Sequence, residues 1–256
     1  MSFIHDTWFI FRRQVRLILR NPAFLTIGLL QPILYLVLFG PLLTNLPAGT
    51  LSSAGGTANA YRFFVPGLLI QLALFGSTFV GFAIISDWRS GVIERYRVTP
   101  VSRMAILAGR VLRDVTMLMI QSTVLILAGL AFGLRAPLPA VLMGYVYIVL
   151  VAIGLASVSY AVALQLKSED AFAPLINSII VPLVLLSGIM LPLNLGPGWL
   201  QGIGRISPFR YIIDAMREAY AGHYFDTIMV EGLAVAAGLA AVFMWLGSRV
   251  FVRENA

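Results

Sequence analysis

The charged residues of this chain are confined to a few short stretches, and between them lie six long charge-free windows: 21–61, 63–86, 115–134, 136–166, 171–204 and 232–248. About 20 apolar residues cross the hydrocarbon of a bilayer as a helix. The windows therefore predict spans near 23–44, 63–86, 114–134, 140–166, 172–192 and 229–249. The last contains Glu231 near its start, which needs an interfacial position or a polar partner. Two windows are longer than one span. The first continues into 46–60, a small-residue, Gly/Ser-rich stretch that reads as an outer loop. The fifth continues into 193–224, where Pro197 and Pro208 rule out a single spanning helix. The apolar members Leu200, Ile203, Ile206 and Phe209 still require cover, so short re-entrant or interfacial helices are expected there.

Ahead of the first span, residues 1–21 show a helical pattern of their own. Ile4, Trp8, Phe11, Val15 and Leu19 share one face; Arg12, Arg16 and Arg20 share another, with Arg13 beside them and Phe9 out of pattern. A basic helix of this kind lies in the headgroup layer with its apolar face sunk inward. Asn21-Pro22 separates it from the first span, because the residue before proline avoids the helical region. A cleaved signal peptide fits poorly: the first apolar run is longer than the usual core of 7–15 residues and begins late.

Composition agrees with lipid as the solvent. Of 256 residues, 59% are hydrophobic and 11% charged, against roughly 25% charged in soluble domains. The net charge of +7 could suggest nucleic acid, but the charges cluster at the ends of apolar runs, so topology explains them and no nucleic-acid partner is expected. With the N-terminus inside, the inner segments hold Arg12, Arg13, Arg16, Arg20, Arg89, Arg95, Arg97, Arg103, Arg110, Arg113, Lys167, Arg249 and Arg253. The outer segments hold only Arg62, Arg135, Arg205, Arg210 and Arg217. By the positive-inside rule both termini are cytoplasmic. There is no cysteine, and only His5 and His223; no disulfide, thiolate or His-based metal site is expected. The preference for Arg over Lys suits a GC-rich bacterial genome, hence a bacterial inner (plasma) membrane.

The longest inner loop, 87–103, mixes both charge signs with Trp88, Val92, Ile93, Tyr96 and Val98. Gly91 permits a turn, Ile93 and Tyr96 can share a helical face, and Thr99-Pro100 ends the short helix. Such an element can dock a soluble partner or rest on anionic lipid. Its sequence, GVIERYRVTPVSRMAILAGRVLRD, resembles the first cytoplasmic loop of ABC-2 type transporter permeases, the daunorubicin-resistance-type exporters in particular. Gly91, Glu94, Thr99, Pro100, Val101, Ser102 and Arg103 fall on that family's pattern. LPLNLGPGWLQGIGRISPFRYIIDAMRE resembles the family's segment between spans five and six, through Pro192, Pro197, Trp199, Leu200, Pro208, Tyr211, Asp214 and Arg217.

The resemblance implies an all-α integral membrane fold of six transmembrane helices, with an N-terminal interfacial helix (1–21), a cytoplasmic coupling helix (87–103) and outer re-entrant helices (193–224). It implies a permease subunit, paired with a second permease copy as homodimer or related heterodimer, and two copies of a cytosolic ABC ATPase. The ATPase would bind ATP and Mg; this chain would hold no cofactor and catalyse nothing by itself. Gly91, Glu94, Arg95, Tyr96, Thr99 and Pro100 would form the ATPase-docking motif, and Pro208, Tyr211, Asp214 and Arg217 the outer re-entrant motif. Substrate would pass spans one, two and five between the subunits.

The residues bear on parts of this independently. No G-x-x-x-x-G-K-[ST] phosphate loop is present, and the glycines of 196–204 read as turn punctuation. Asp214 and Arg217 are spaced to pair on a helix; Asp214 with Glu218 lacks the base or nucleophile that acid–base catalysis needs. Gln31, Gln71 and Asn177 are costly facing lipid. They either line a substrate path or bond between helices and to backbone freed by Pro32 and Pro182. The expected function is outward transport of a hydrophobic or amphiphilic small molecule (drug, lipid or natural product). The alternatives are a polysaccharide or teichoic-acid exporter, an ATP-independent scaffold or channel, and a membrane-embedded enzyme.

Overall fold

The computed structural model describes residues 3–19, 23–44, 60–93, 102–189, 197–224 and 226–254. Among them are ten helices: α1 (Phe3–Leu19), α2 (Ala23–Thr44), α3 (Ala60–Thr78), α4 (Gly81–Arg89), α5 (Arg103–Ala131), α6 (Leu138–Leu166), α7 (Glu169–Leu186), α8 (Gly198–Gly204), α9 (Pro208–Ala221) and α10 (Thr227–Glu254). No strand occurs among the described residues. Five helical stretches are long and apolar enough to cross a membrane: Ala60–Arg89, Arg103–Ala131, Leu138–Leu166, Glu169–Leu186 and Thr227–Phe251. A further apolar stretch, Thr26–Leu42 of α2, is shorter.

α6 is the hub. It packs most extensively on α10 and also touches α3, α4, α5, α7 and α9. Small residues let its backbone approach: a Cβ on Gly154 would lie 3.1 Å from Ala240 Cα, and one on Gly247 would lie 2.5 Å from the Ser157 carbonyl oxygen. Close backbone approach over small residues is how helices associate in lipid, where the surrounding tails are as apolar as leucine. Large side chains fill the remaining volume, with Leu68, Ile84, Leu125, Tyr147, Tyr160, Phe172, Ile212 and Met216 all buried.

The second span, expected as one helix over 63–86, is two. α3 stops at Thr78 and α4 starts at Gly81. The local cause is two hydroxyls in sequence. Ser77 Oγ donates to the Ala73 carbonyl at 2.6 Å and Thr78 Oγ1 to the Leu74 carbonyl at 2.7 Å, a back-bonding pattern that bends helices. Ser159 on α6 satisfies the groups this frees. Its Oγ accepts from the Gly81 N–H at 3.0 Å and donates to the Thr78 carbonyl at 2.5 Å.

Other boundaries also differ from the hydropathy reading. α5 begins at Arg103, well before the expected 114, and carries Arg110, Arg113 and Asp114 into the packed helix. Ser102 caps it, accepting from the Ala105 N–H at 3.1 Å. α7 ends at Leu186 rather than 192, and α10 runs on to Glu254. The expected loop 46–60 lies almost wholly outside the described residues. α1 packs on α5 through Asp6, Ile10 and Gln14, which are buried, while Ile4, Trp8 and Phe9 are exposed. The face carrying Ile4 and Trp8 thus points away from the bundle, toward lipid, and the packed face is the more polar one. Gly109 sets that contact, since its Cβ would lie 2.8 Å from Ile10 Cγ2.

Two substitutions test the repaired break. Ser159→Ala should lower stability by about 1–2 kcal/mol, the cost of orphaning buried backbone groups. Gly81→Val should cost more, about 1–3 kcal/mol of overpacking beyond that loss, because its Cβ would lie 2.3 Å from Phe172 Cζ. Thermal unfolding in detergent micelles measures both; a Ser159→Ala protein as stable as the wild type would show that the break is held by other means.

Candidate functional site

Three groups of residues were singled out by the sequence, and the described residues include only part of the first of them. The docking motif follows α4. The Gly91 N–H donates to the Trp88 carbonyl at 3.1 Å, and Gly91 has φ +70° with open space where a side chain would go, a turn that favours glycine. Glu94, Arg95, Tyr96, Thr99 and Pro100 lie outside the described residues. The flanks of the segment are well tied. Arg89 Nη1 pairs with Glu169 Oε1 at 3.2 Å, and Lys167 Nζ lies 5.6 Å over the Trp88 ring. Lys167 itself adopts φ +52° as the C-cap of α6, which allows the two-residue link to α7.

Beneath these flanks is a polar cluster whose members sequence reading had divided between the loop (Asp87), the inner topology charges (Arg110 and Arg113) and the start of span three (Asp114). Arg110, 1% exposed, donates from Nη2 to Asp87 Oδ2 at 2.5 Å. Arg113 donates to Asp114 Oδ1 from Nε at 2.8 Å and from Nη2 at 2.5 Å, to Tyr160 Oη at 2.9 Å, and to Gln14 Oε1 at 3.2 Å. Tyr160 donates to Asp114 Oδ2. Asp87, Arg110, Arg113 and Asp114 thus form a neutral set inside the protein, bonded to α6 and α1. The usable sequence signal was Arg110, Arg113 and Asp114 at helical spacing next to an apolar run, with charges of both signs able to cancel.

The path candidates are not brought together. Gln31 is exposed on α2 and donates to Tyr35 Oη at 3.3 Å. Asn177 is exposed on α7 and donates to the Ala173 carbonyl at 3.0 Å. Gln71 is 3% exposed inside the bundle, its Oε1 buried without a partner among the described residues. No hydrogen bond joins any two of the three.

The outer motif is organised around Arg217. Pro208 opens α9 at its first turn, the position proline tolerates best. Tyr211 donates to the Arg205 carbonyl at 3.1 Å, tying α9 back to the end of α8. Asp214 lies 3.5 Å from Arg210 Nε and 3.9 Å from Arg217 Nη1. Arg217 is buried, with Nη2 donating to the Gly188 and Ile189 carbonyls at 2.9 and 3.0 Å and Nε to the Phe63 carbonyl at 3.3 Å. Its guanidinium carbon lies 3.7 Å over the Phe63 ring. Burial lowers its pKa to about 10, with Asp214 opposing, so it remains a cation at neutral pH. One side chain therefore joins α9, the start of span two and the end of span five. Gly67 leaves room for this, since a Cβ there would lie 2.5 Å from the Ile189 carbonyl oxygen.

The chain has the sequence profile of the family described as ABC-2 type transporter over residues 5–220. It is 29% identical over 221 residues to the putative transport permease ycf38 of Cyanophora paradoxa, covering 86% of this chain and 75% of that one. It is 29% identical over 232 residues to the daunorubicin resistance ABC transporter permease protein DrrB1 of Streptomyces coeruleorubidus, covering 89% and 79%. With the probable doxorubicin resistance ABC transporter permease protein DrrC of Mycobacterium tuberculosis (strain ATCC 25618 / H37Rv) the identity is 27% over 217 residues, covering 84% and 76%.

Arg217→Ala should destabilise the outer end by about 2–3 kcal/mol, since several charge-assisted hydrogen bonds are lost together. Arg217→Lys should recover part of this, because an ammonium keeps the charge but not the planar fork. Amide hydrogen exchange over 183–189 and thermal unfolding together check it: exchange there should rise before that of α6.

Proposed function

This chain belongs to the ABC-2 type transporter family, and on that premise we propose that it is the permease subunit of an ATP-driven exporter of a hydrophobic or amphiphilic small molecule. The observation that carries the reading is the family match across residues 5–220, on a bundle of apolar helices fit for a multi-pass membrane protein. The relatives named for daunorubicin and doxorubicin resistance support a drug-like cargo, and outward transport is the direction in keeping with those names.

On this reading two copies of a cytosolic ABC ATPase bind ATP and Mg and supply the energy, and this chain performs no hydrolysis. Residues 87–103 dock in the ATPase, with Glu94, Arg95 and Tyr96 at the contact and Gly91, Thr99 and Pro100 shaping the turn and stop. The permease works beside a second permease copy. The outward faces of α2 and α7 support that arrangement, for Ile27, Leu30, Leu38, Ile179, Val181 and Leu185 are all exposed. Gln31 and Asn177 lie on those same helices, at the boundary where a substrate would move between copies. Gln71, inside the bundle, would reach the path only through a change in packing. Both termini face the cytoplasm of a bacterial inner membrane, with α8 and α9 returning into the outer leaflet.

The test is reconstitution with the ATPase encoded beside this gene, with doxorubicin loaded on the side from which it would be exported. ATP should drive its loss, and Glu94→Ala with Arg95→Ala should weaken permease–ATPase association by about tenfold or more, the scale of losing central contacts in an interface. Undiminished association and coupled ATP hydrolysis in that double variant would overturn the docking assignment.

A further inference from the structure

The two flanks of the docking segment meet in the buried charge cluster. Asp87, the first residue of the segment and still on α4, and Arg110, two turns into α5 after it, are joined by an ion pair. Arg110 is buried, and among the described residues its Nε and Nη1 have no hydrogen-bond partner. Of its five N–H donors, the hold on neighbouring structure therefore rests on the one aimed at Asp87. Removing either charge would leave the other buried or half-buried and uncompensated, so the two flanks resist separation.

The position of this pair matters. Gly91, with its left-handed backbone and open surroundings, lies on the segment side of it. A push on the segment would be absorbed by bending at Gly91 if α4 and α5 were free of each other. Clamped at Asp87 and Arg110, they move together. One turn further along α5, Arg113 and Asp114 bond Tyr160 on α6 and Gln14 on α1. α6 is the helix that touches α3, α9 and α10.

We propose that Asp87 and Arg110 are positioning residues that convert displacement of the docking segment into displacement of the membrane helices, with Arg113, Asp114 and Tyr160 passing it to α6 and Gln14 passing it to α1. This rests on the reading of 87–103 as the ATPase-docking segment.

The chain has no cysteine, so one introduced cysteine gives a clean reporter. Leu138, 71% exposed at the far end of α6, is replaced (Leu138→Cys) and labelled with an environment-sensitive fluorophore. The whole permease–ATPase complex is then trapped with ATP and vanadate in proteoliposomes. Arg110→Gln should leave association and basal ATP hydrolysis within about twofold, yet it and Asp87→Asn should each cut the nucleotide-driven spectral shift by about fivefold or more, the scale of a typical coupling free energy. Exchanging the charges (Asp87→Arg with Arg110→Asp) should restore part of the shift, which a merely stabilising role would not produce. Tyr160→Phe removes one hydroxyl and should reduce the shift by about half, within the range seen for residues along a coupling network. A full shift in assembled Asp87→Asn or Arg110→Gln complexes overturns the proposal; if those variants do not assemble, a full shift in Tyr160→Phe overturns it. Failure of the docking reading is distinguishable, because it appears as undiminished ATPase association in the Glu94→Ala, Arg95→Ala variant.

Discussion

In hydrocarbon a polar group has only the protein to bond to, and that constraint decides where this chain can bend and where it can carry charge. The break in span two exists because Ser159 on α6 supplies both a donor and an acceptor at the point where the ladder fails. The helix pair α8 and α9 stays joined to the bundle because Arg217 collects carbonyls from the start of span two and the end of span five. The inner charges are tolerated because Asp87, Arg110, Arg113 and Asp114 cancel and share hydrogen bonds. Each irregularity is paired with a side chain from a different helix, so the irregular points are also the joints of the fold.

Span positions were legible because hydropathy is a sum over about twenty residues and tolerates local error. The points of failure share one cause. A hydropathy window counts Arg103, Arg110, Arg113 and Asp114 against a helix in lipid, one charge at a time, whereas the fold pairs them. The inner start of α5 was therefore placed too late, and Arg110 and Arg113 were read as inner topology charges rather than as members of a cluster that ties four helices. The break at Phe79 and Val80 was hidden for the opposite reason: Ser77, Thr78 and Gly81 scarcely disturb hydropathy, and the partner that makes the break affordable is 78 residues away from Gly81.

α1 shows how far periodicity reaches. The pattern identified an amphipathic helix and its apolar face, of which Ile4 and Trp8 are exposed and Phe11 and Val15 half-buried in the structure. Periodicity said nothing of the opposite side. Asp6 and Gln14 are buried there around Ile10, because α5 extends beneath them with Gly109 at the contact and Arg113 offering Gln14 a hydrogen bond. The site residues divide in the same way. Arg217 was reached through the resemblance of a motif, while its role as a three-helix joint depends on the Gly188, Ile189 and Phe63 carbonyls, which no side-chain pattern marks.

α7 draws these threads together. Its inner end is fixed by Phe172 against Gly81 and by Glu169 with Arg89; its outer end is fixed by Arg217. Between these ends Leu175, Ile179, Val181 and Leu185 face outward. Two side-chain donors there turn back onto the helix, Asn177 Nδ2 to the Ala173 carbonyl and Ser178 Oγ to the Pro174 carbonyl, where Pro182 also leaves Ser178's own carbonyl without its helical donor. The apolar side chains of such a surface have little preference between a lipid tail and another apolar surface. A helix anchored by polar contacts at both ends and indifferent along its middle can exchange one apolar neighbour for another without disturbing its anchors. That is the physical requirement for a wall past which varied apolar molecules move.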